Sequence, residues 1–325
     1  MTTFKTADFY RENTSDPLRV LSLCTGMGGD AAAFLHADIA HELVAVAEFD
    51  PLASAVLAQK FPAVPNLGDI NAITNWKDYH GKIDLIIAGI PCQPYSAAGK
   101  QRGASDRRDL SIVVAKIIRE VRPRFLVIEN VPQFETVQGG RPFRRFITSI
   151  RDAGYAVGHR VIDASNFVAQ RRKRLFICGH RGTASCSPAQ ILAFAAGGER
   201  RAHPRGAASL SFAAGAARGS FVLHPPRLGT MMASGSGMNR PGLKGHEMDF
   251  LVVQDFPGHG LVVRRPTPLE ALRAQGFPDD WLDEVRHRGK PLTDSQKYRL
   301  VGNSWPVPVA AAILSVVNRH WVMAA

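Results

Sequence analysis

Short apolar runs alternate with amphipathic stretches from residue 18 to about 130. Arg19-Val-Leu-Ser-Leu-Cys24 is followed by glycines at 26, 28 and 29 and then by the helix-compatible Asp30-Ala-Ala-Ala-Phe-Leu-His36. A second run, Leu43-Val-Ala-Val-Ala47, stops at Glu48. Asp50 as N-cap with Pro51 at the first helical position opens a helix to about Lys60. Ile83-Asp-Leu-Ile-Ile-Ala88 reads as a buried strand ending in Gly89-Ile-Pro91. Apolar residues at 110, 113, 114, 117, 118 and 121 carry the helical period, which Pro123 closes. Phe125-Leu-Val-Ile128 is the next strand and stops at Glu129. Strands alternating with helices predict an α/β fold, a mostly parallel sheet covered on both faces.

The rhythm fades in the second half, where Ala207-Ala-Ser-Leu-Ser-Phe-Ala-Ala-Gly-Ala-Ala217 is dominated by small residues. Residues 181–264 hold nine Lys and Arg against four Asp and Glu. They read as a second, irregular, basic module, the alternative being a flexible insertion. Patterning resumes with Pro268-Leu-Glu-Ala-Leu-Arg-Ala274 and ends on an apolar helix from about Pro308 to Val317. The predicted organisation is a polar arm over 1–17, a main domain over 18–181, the basic module over 182–264, and a return over 265–325.

With 45% hydrophobic and 21% charged residues, the 325-residue chain is ordinary globular protein. That excludes wholesale disorder, collagen and a coiled coil. Apolar stretches run under ten residues, so no segment is expected to span a bilayer, and the N-terminus lacks the apolar core of a signal peptide. The expected location is cytoplasmic, with no membrane partner. The four cysteines show no Cys-x-x-Cys spacing, so neither a disulfide framework nor a metal site is expected. A net charge of +12 points to a polyanion such as nucleic acid, although an anionic small substrate also fits.

Ligands of open α/β sheets bind outside the carboxyl ends of the strands. The predicted strand ends here carry Gly26-Met-Gly28-Gly29, Glu48, Pro91-Cys92 and Glu129-Asn130, with Gly68-Asp69 between two of them. Glycines let backbone approach a ligand ahead of a helix N-terminus, though a tight turn needs them too. Glu48 lies 22 residues past Gly26, the placement of an acid that binds ribose hydroxyls. The glycine pattern is not that of a dinucleotide site. An adenosine ligand with less phosphate, such as S-adenosylmethionine, fits better. Asp69 either accepts from an adenine amino group or caps a turn. Cys92 follows its apolar run instead of lying inside it, as a nucleophile would; its thiolate must then be favoured. Cys24 and Cys178 sit inside runs and read as packing, and Cys186 is unassigned. Glu129 at a buried strand end suits a general acid with a raised pKa, or a salt-bridged structural carboxylate. In Arg171-Arg-Lys-Arg174, abutting Leu175-Phe-Ile177, alternate members must point toward the sheet edge.

From about Val20 to Ala312 these residues resemble, in order, the DNA (cytosine-5) methyltransferases of the bacterial type. The resemblance rests on Leu23-Cys-Thr-Gly-Met-Gly-Gly29, Glu48, Gly68-Asp-Ile70, Gly89-Ile-Pro-Cys-Gln-Pro-Tyr-Ser96 and Glu129-Asn-Val131. It continues through Gln170-Arg-Arg-Lys-Arg174, Arg265-Pro-Thr-Pro-Leu-Glu270, Gln275-Gly-Phe-Pro278 and Gly302-Asn-Ser304. It implies a Rossmann-like sheet dependent on S-adenosyl-L-methionine, with a smaller target-recognition domain, in a monomer acting on double-stranded DNA. Cys92 would add to C6 of a flipped cytosine, Glu129 would act at N3, Arg174 would hold O2, and Arg172 would help order the site. Thr25, Gly26, Met27, Gly28, Glu48, Asp69, Ile70, Pro91 and Asn303 would contact the cofactor. Asn303 would make the catalytic domain discontinuous.

Ser96-Ala-Ala-Gly-Lys-Gln-Arg-Gly103 resembles the family's closing loop. With Ser96, Lys100, Gln101, Arg102, Arg107 and Arg108 it would track phosphates, and Arg240 lies in a stretch suited to a groove. Ser22 stands where the family often has Asp, Cys24 where it usually has Phe, and Asp109 where Gly is common. Three rivals stand beside this reading. One is a transfer-RNA cytosine methyltransferase, whose Cys-Phe-Thr signature is missing here; another is an inactive DNA-binding relative. The third, an unrelated nucleotide-binding enzyme, leaves Gln170–Arg174 and Gly302–Ser304 unexplained.

Overall fold

The computed structural model describes residues 16–91, 110–182, 187–202, 221–224, 251–256 and 260–322. Six strands form the central sheet: β1 (Leu18–Leu23), β2 (His41–Ala47), β3 (Leu85–Gly89), β4 (Phe125–Asn130), β5 (Tyr155–Asp163) and β6 (Lys173–Arg181). Their order is β2-β1-β3-β4-β6-β5. The first four are parallel, and β6 runs antiparallel to both β4 and β5. The order reverses at β1, which opens a crevice between the ends of β1 and β3. Because β6 enters the sheet where β4 leaves it, residues 170–174 arrive at the carboxyl edge.

Alternation along the strands builds two cores. Val20, Leu85, Ile87, Phe125, Val127 and Phe176 face one side; Leu21, Leu23, Ile86, Ala88, Ile128 and Ile177 face the other. The helices are α1 (Gly29–His36), α2 (Pro51–Lys60), α3 (Ser111–Val121), α4 (Arg141–Asp152) and α5 (Pro188–Ala202). After them come α6 (Pro268–Gln275), α7 (Asp294–Asn303) and α8 (Val307–Val322). Helices α1, α2, α5, α6 and α8 cover the first face, and α3 and α4 the second. The Asp50 side chain caps α2 by accepting from Leu52 N at 2.8 Å, with Pro51 next, as the sequence predicts. A separate three-stranded sheet joins β7 (Phe221–His224), β8 (Leu251–Phe256) and β9 (Gly260–Arg264). Val252 belongs to the first core.

Two features bear on these expectations. Within the stretch assigned to the basic module from 182, α5 packs on β5, β6 and α8 and contributes Ile191, Leu192 and Ala195 to the core. Its small residues read as irregular chain, but they are what let a helix lie close on the sheet. The second concerns the bilayer: the helical stretch Asp294–Val322 is long and apolar enough to cross one by length and composition alone. Its apolar window is 78% buried inside the fold, and Ser304-Trp-Pro306 interrupts it, so it is a core element.

The contact of α5 with β5 has a test. A Cβ at the buried Gly158 would stand 2.6 Å from Ala189 N and 2.9 Å from Pro188 C, backbone that cannot step aside. Gly158→Ala is expected to cost about 2 kcal/mol by overpacking, seen as a lower urea midpoint. An unchanged midpoint would show that α5 does not seat there.

Candidate active site at the carboxyl edge of the sheet

The turn after β1 is set by buried hydrogen bonds. Ser22 Oγ donates to Asp30 Oδ2 at 2.5 Å and lies 2.9 Å from Thr25 Oγ1. Ser22 and Asp30 are both buried. Serine therefore stands on the strand while a carboxylate eight residues on, in the first turn of α1, completes the pair. Gly26 N donates to Glu48 Oε2 at 2.7 Å, and Asp50 N donates to Glu48 Oε1 at 2.8 Å. Glu48 N and O are held by the Asn66 side chain at 3.0 and 3.1 Å. Burial pushes the Glu48 carboxyl up, and the Asp50 and Gly26 amides pull it back.

The three glycines do different work. At Gly26 (φ 60°) a Cβ would meet nothing within 4 Å, so this residue leaves open space beside Glu48. A Cβ at Gly29 would stand 2.7 Å from Ser304 Oγ and 3.2 Å from Trp305 Cβ, and one at Gly28 would touch Phe61, Leu57 and Trp281. Thr25 is buried. Met27 has its side chain in the core and its carbonyl accepts from Trp281 Nε1 at 2.9 Å. Met27 and Gly28 are thus packing residues of the turn, and Gly26 leaves the space.

Burial and then the Glu48 and Asp69 carboxylates push the Cys24 thiol up, so the ends of β1 and β2 and the 66–70 segment share one electrostatic neighbourhood. Asp69 is exposed and its Oδ1 accepts from Asn71 N and Nδ2, both at 2.9 Å, which makes it a turn residue as well. Ile70 is buried in the second core. Phe49 lies between Glu48 and Asp50 with 69% of its surface exposed. Sequence reasoning passed over it; an aromatic outside the strand and just before an N-cap, with no core to enter, was the available signal.

At the end of β4, Glu129 pairs in register with Gly89 and its carbonyl accepts from Ile90 N at 3.1 Å. Pro91 therefore leaves the sheet beside Glu129. Cys92 follows, and Cys92, Ser96, Lys100, Gln101, Arg102, Arg107, Arg108 and Arg240 lie outside the described residues. Arg174 Nε meets Glu129 Oε1 at 2.8 Å. Burial raises the Glu129 carboxyl, against the pull of Arg174 and then Arg172. Across 170–174 burial alternates as predicted: Gln170 and Arg172 buried, Arg171 and Lys173 exposed, and Arg174 between.

The Arg172 side chain goes elsewhere than to Glu129. Its Nη2 donates to Gly302 O at 2.9 Å and Ser304 O at 2.6 Å. Asn303 is exposed between these two buried residues. Trp305 closes on Gly29 and Gly89 together, so the return from the C-terminal part reaches both cofactor-edge strands. Gln275 Nε2 donates to Val301 O at 2.9 Å, and Phe277 packs in the first core. Among the described residues, no three His, Cys, Asp or Glu side chains gather as a metal centre would require.

A carboxylate fixed by two amides, an exposed aromatic and a buried acid–guanidinium pair thus lie at the carboxyl edge of the sheet, where α/β folds of this class bind their ligands. The family model for C-5 cytosine-specific DNA methylase matches residues 18–204 and 228–319. The chain belongs to that family. Its cofactor is S-adenosyl-L-methionine, and its reaction is methylation of cytosine in DNA. Over 315 residues it is 29% identical to the type II methyltransferase M.NgoBI of Neisseria gonorrhoeae, covering 92% of this chain and 93% of that protein. It is 28% identical to M.HpaII of Haemophilus parainfluenzae over 92% of this chain and 89% of that one. A 34% match to M.BanI of Aneurinibacillus aneurinilyticus spans 51% of this chain and 39% of that protein. The S. pombe Dnmt2 methyltransferase shares the fold, with TM-score 0.65 and 19% identity over 92% of this chain and 98% of that one.

Asp30 offers a check on the turn. Burial raises its carboxyl, with the Ser22 hydrogen bond opposing. The folded state then holds the proton more tightly than the unfolded chain. The stability this group contributes is present at low pH and is lost as pH rises through the folded pKa. Asp30→Asn does not titrate, so its stability relative to the parent should increase from acid to neutral pH in urea unfolding. A pH-independent difference would contradict a raised Asp30.

Proposed function

We propose that the chain methylates C5 of a flipped cytosine within a specific double-stranded DNA sequence, as a monomer in the cytoplasm, through a covalent Cys92 intermediate. The observation that carries this reading is the Glu129–Arg174 pair, set in register beside the strand end from which Pro91 leads into Cys92. Glu48, Asp69 and Asn303 converge on the same edge, and Gly26 leaves room for a ligand there. The residues present fit S-adenosyl-L-methionine: Glu48 for the ribose hydroxyls, the exposed Phe49 ring for the adenine face, Thr25 and Gly26 for the backbone approach. When bound, the cofactor supplies an electrophilic methyl group.

The Cys92 thiolate adds to C6 of the cytosine, forming a C–S bond. Glu129, whose carboxyl burial pushes up against the pull of Arg174 and Arg172, gives a proton to N3, so electron density builds at C5 instead of ring nitrogen. Arg174 holds O2 while remaining paired with Glu129, and Arg172 fixes the Gly302–Ser304 wall behind both. After C5 is methylated, its proton passes to solvent water as the thiolate is expelled, and N3 returns its proton to Glu129, which restores the ring. Covalent addition divides one hard step into two easier ones. C5 and C6 are hidden in a duplex, so the base must leave the stack at a cost of a few kcal/mol. The 96–108 loop, with Lys100, Arg102, Arg107 and Arg108, is charged to close over the opened strand, and the basic module carrying Arg240 reads the sequence.

Cys92→Ala should abolish methyl transfer from labelled cofactor and the covalent adduct with 5-fluorocytosine DNA that the parent forms. Transfer at the parental rate would refute the covalent route. Glu129→Gln should lower kcat by about 10²–10⁴ and remove the fall in rate that the parent shows as pH rises through the Glu129 pKa. Binding to duplex DNA should weaken with a log–log salt slope of roughly −0.9 per phosphate contact; a flat response would remove the polyanion role of the +12 charge.

A further inference from the structure

The opposite edge of the sheet carries a cluster that methyl transfer does not use. Arg19 is the second residue of β1, Asp84 precedes β3, Arg124 precedes β4 and Arg181 ends the antiparallel β6. They meet at one edge because Arg181 N donates to Arg124 O at 3.0 Å and Asp84 N to Arg19 O at 2.8 Å. With Arg122 and Gly182 they line a cleft of about 360 Å³. Glu129 lies five positions along the strand from Arg124, about 16 Å at a strand's rise. The cleft is therefore separate from the cofactor edge.

Charge in the cleft is unbalanced. Asp84 is wholly engaged by Arg19, accepting from Nε and Nη2 at 2.8 Å and from Arg19 N at 3.0 Å. Asp16 and Glu42, both exposed, also act on Arg19. Among the described residues no carboxylate forms an ion pair with Arg122, Arg124 or Arg181, whereas Arg174, Arg264, Arg273 and Arg299 each have one. Arg124 Cζ lies 5.5 and 5.6 Å from the centroids of the Phe125 and Trp321 rings. Arg181 Nη2 lies 3.4 Å from Arg122 O, which keeps those two side by side. Like charges in a concavity repel one another and concentrate positive potential. Guanidinium forks of fixed orientation match the oxygens of phosphoryl groups.

We propose that this cleft binds a compact phosphoryl anion of about pyrophosphate size, through Arg122, Arg124 and Arg181. The Arg19–Asp84 floor makes the site concave, which suits a free anion; the same chemistry is offered by the backbone of a second DNA segment. The test is calorimetric titration of the full chain with inorganic pyrophosphate at low salt, for the parent and for Arg122→Gln with Arg181→Gln. Saturable binding at one per chain, weakened at least tenfold in the double variant with DNA methylation unchanged, is the expected result. If pyrophosphate fails to bind but the variant loses affinity and salt slope on a long duplex lacking the target, the phosphate is carried by DNA and the chemistry stands. Equal pyrophosphate binding in both proteins overturns the proposal, as does no pyrophosphate binding together with unchanged duplex affinity. Without the anion, the double variant should melt no lower than the parent, since it relieves repulsion. Should it fail to fold, Arg181→Lys, which keeps the charge and loses the fork, is expected to weaken pyrophosphate binding as well.

Discussion

The guanidinium of Arg172 holds the carboxyl edge together. A parallel sheet delivers its strand ends to one edge and leaves a crevice there, open on the side that α1 and α3 do not cover. The wall of that crevice is Gly302–Trp305, from a segment 130 residues further along the chain, and it presents two buried carbonyls with no strand partner. Arg172 donates to both. It can do so because β6 runs antiparallel and brings the preceding residues back to this edge. With the wall fixed, Trp305 closes on Gly29 and Gly89, and Asn303 stays at the surface between two buried neighbours. Removing a buried donor of this kind leaves the carbonyls unsatisfied, at about 1–3 kcal/mol each.

The site shows how one basic protein gives three acids different characters. Burial raises Asp30, Glu48 and Glu129 alike. Asp30 is answered by a hydroxyl, Glu48 by two backbone amides, and Glu129 by the Arg174 guanidinium. Amides fixed at the ends of β1 and α2 hold Glu48 rigid, as a binding group requires. The pairing of Glu129 with Arg174 is instead between two side chains. Burial and then the Glu48 and Asp69 carboxylates push the Cys24 thiol up.

Much of this was legible in the sequence. The strand ends at Glu48 and Glu129, the Asp50-Pro51 helix start and the alternation through Gln170–Arg174 follow from local periodicity and capping. Other parts were not. Ser22 looked like a departure from its family, yet it is one half of a pair whose other half, Asp30, is on the next helix. That Met27 and Gly28 of the glycine turn have Trp281, Phe61 and Leu57 as neighbours was another such part. The alanine-rich α5 looked like loose chain until β5, with its glycine at 158, offered it a seat.

The sequence by itself determined the α/β class and the family, because burial period and strand-end residues are properties of a few consecutive positions. Only the tertiary structure decided which arginine holds the C-terminal wall, which glycine leaves open space beside Glu48, and which four arginines share a cleft on the far edge. Those outcomes depend on contacts between residues tens to hundreds of positions apart. Such contacts are fixed by how helices pack on the sheet, and no local pattern along the chain encodes them.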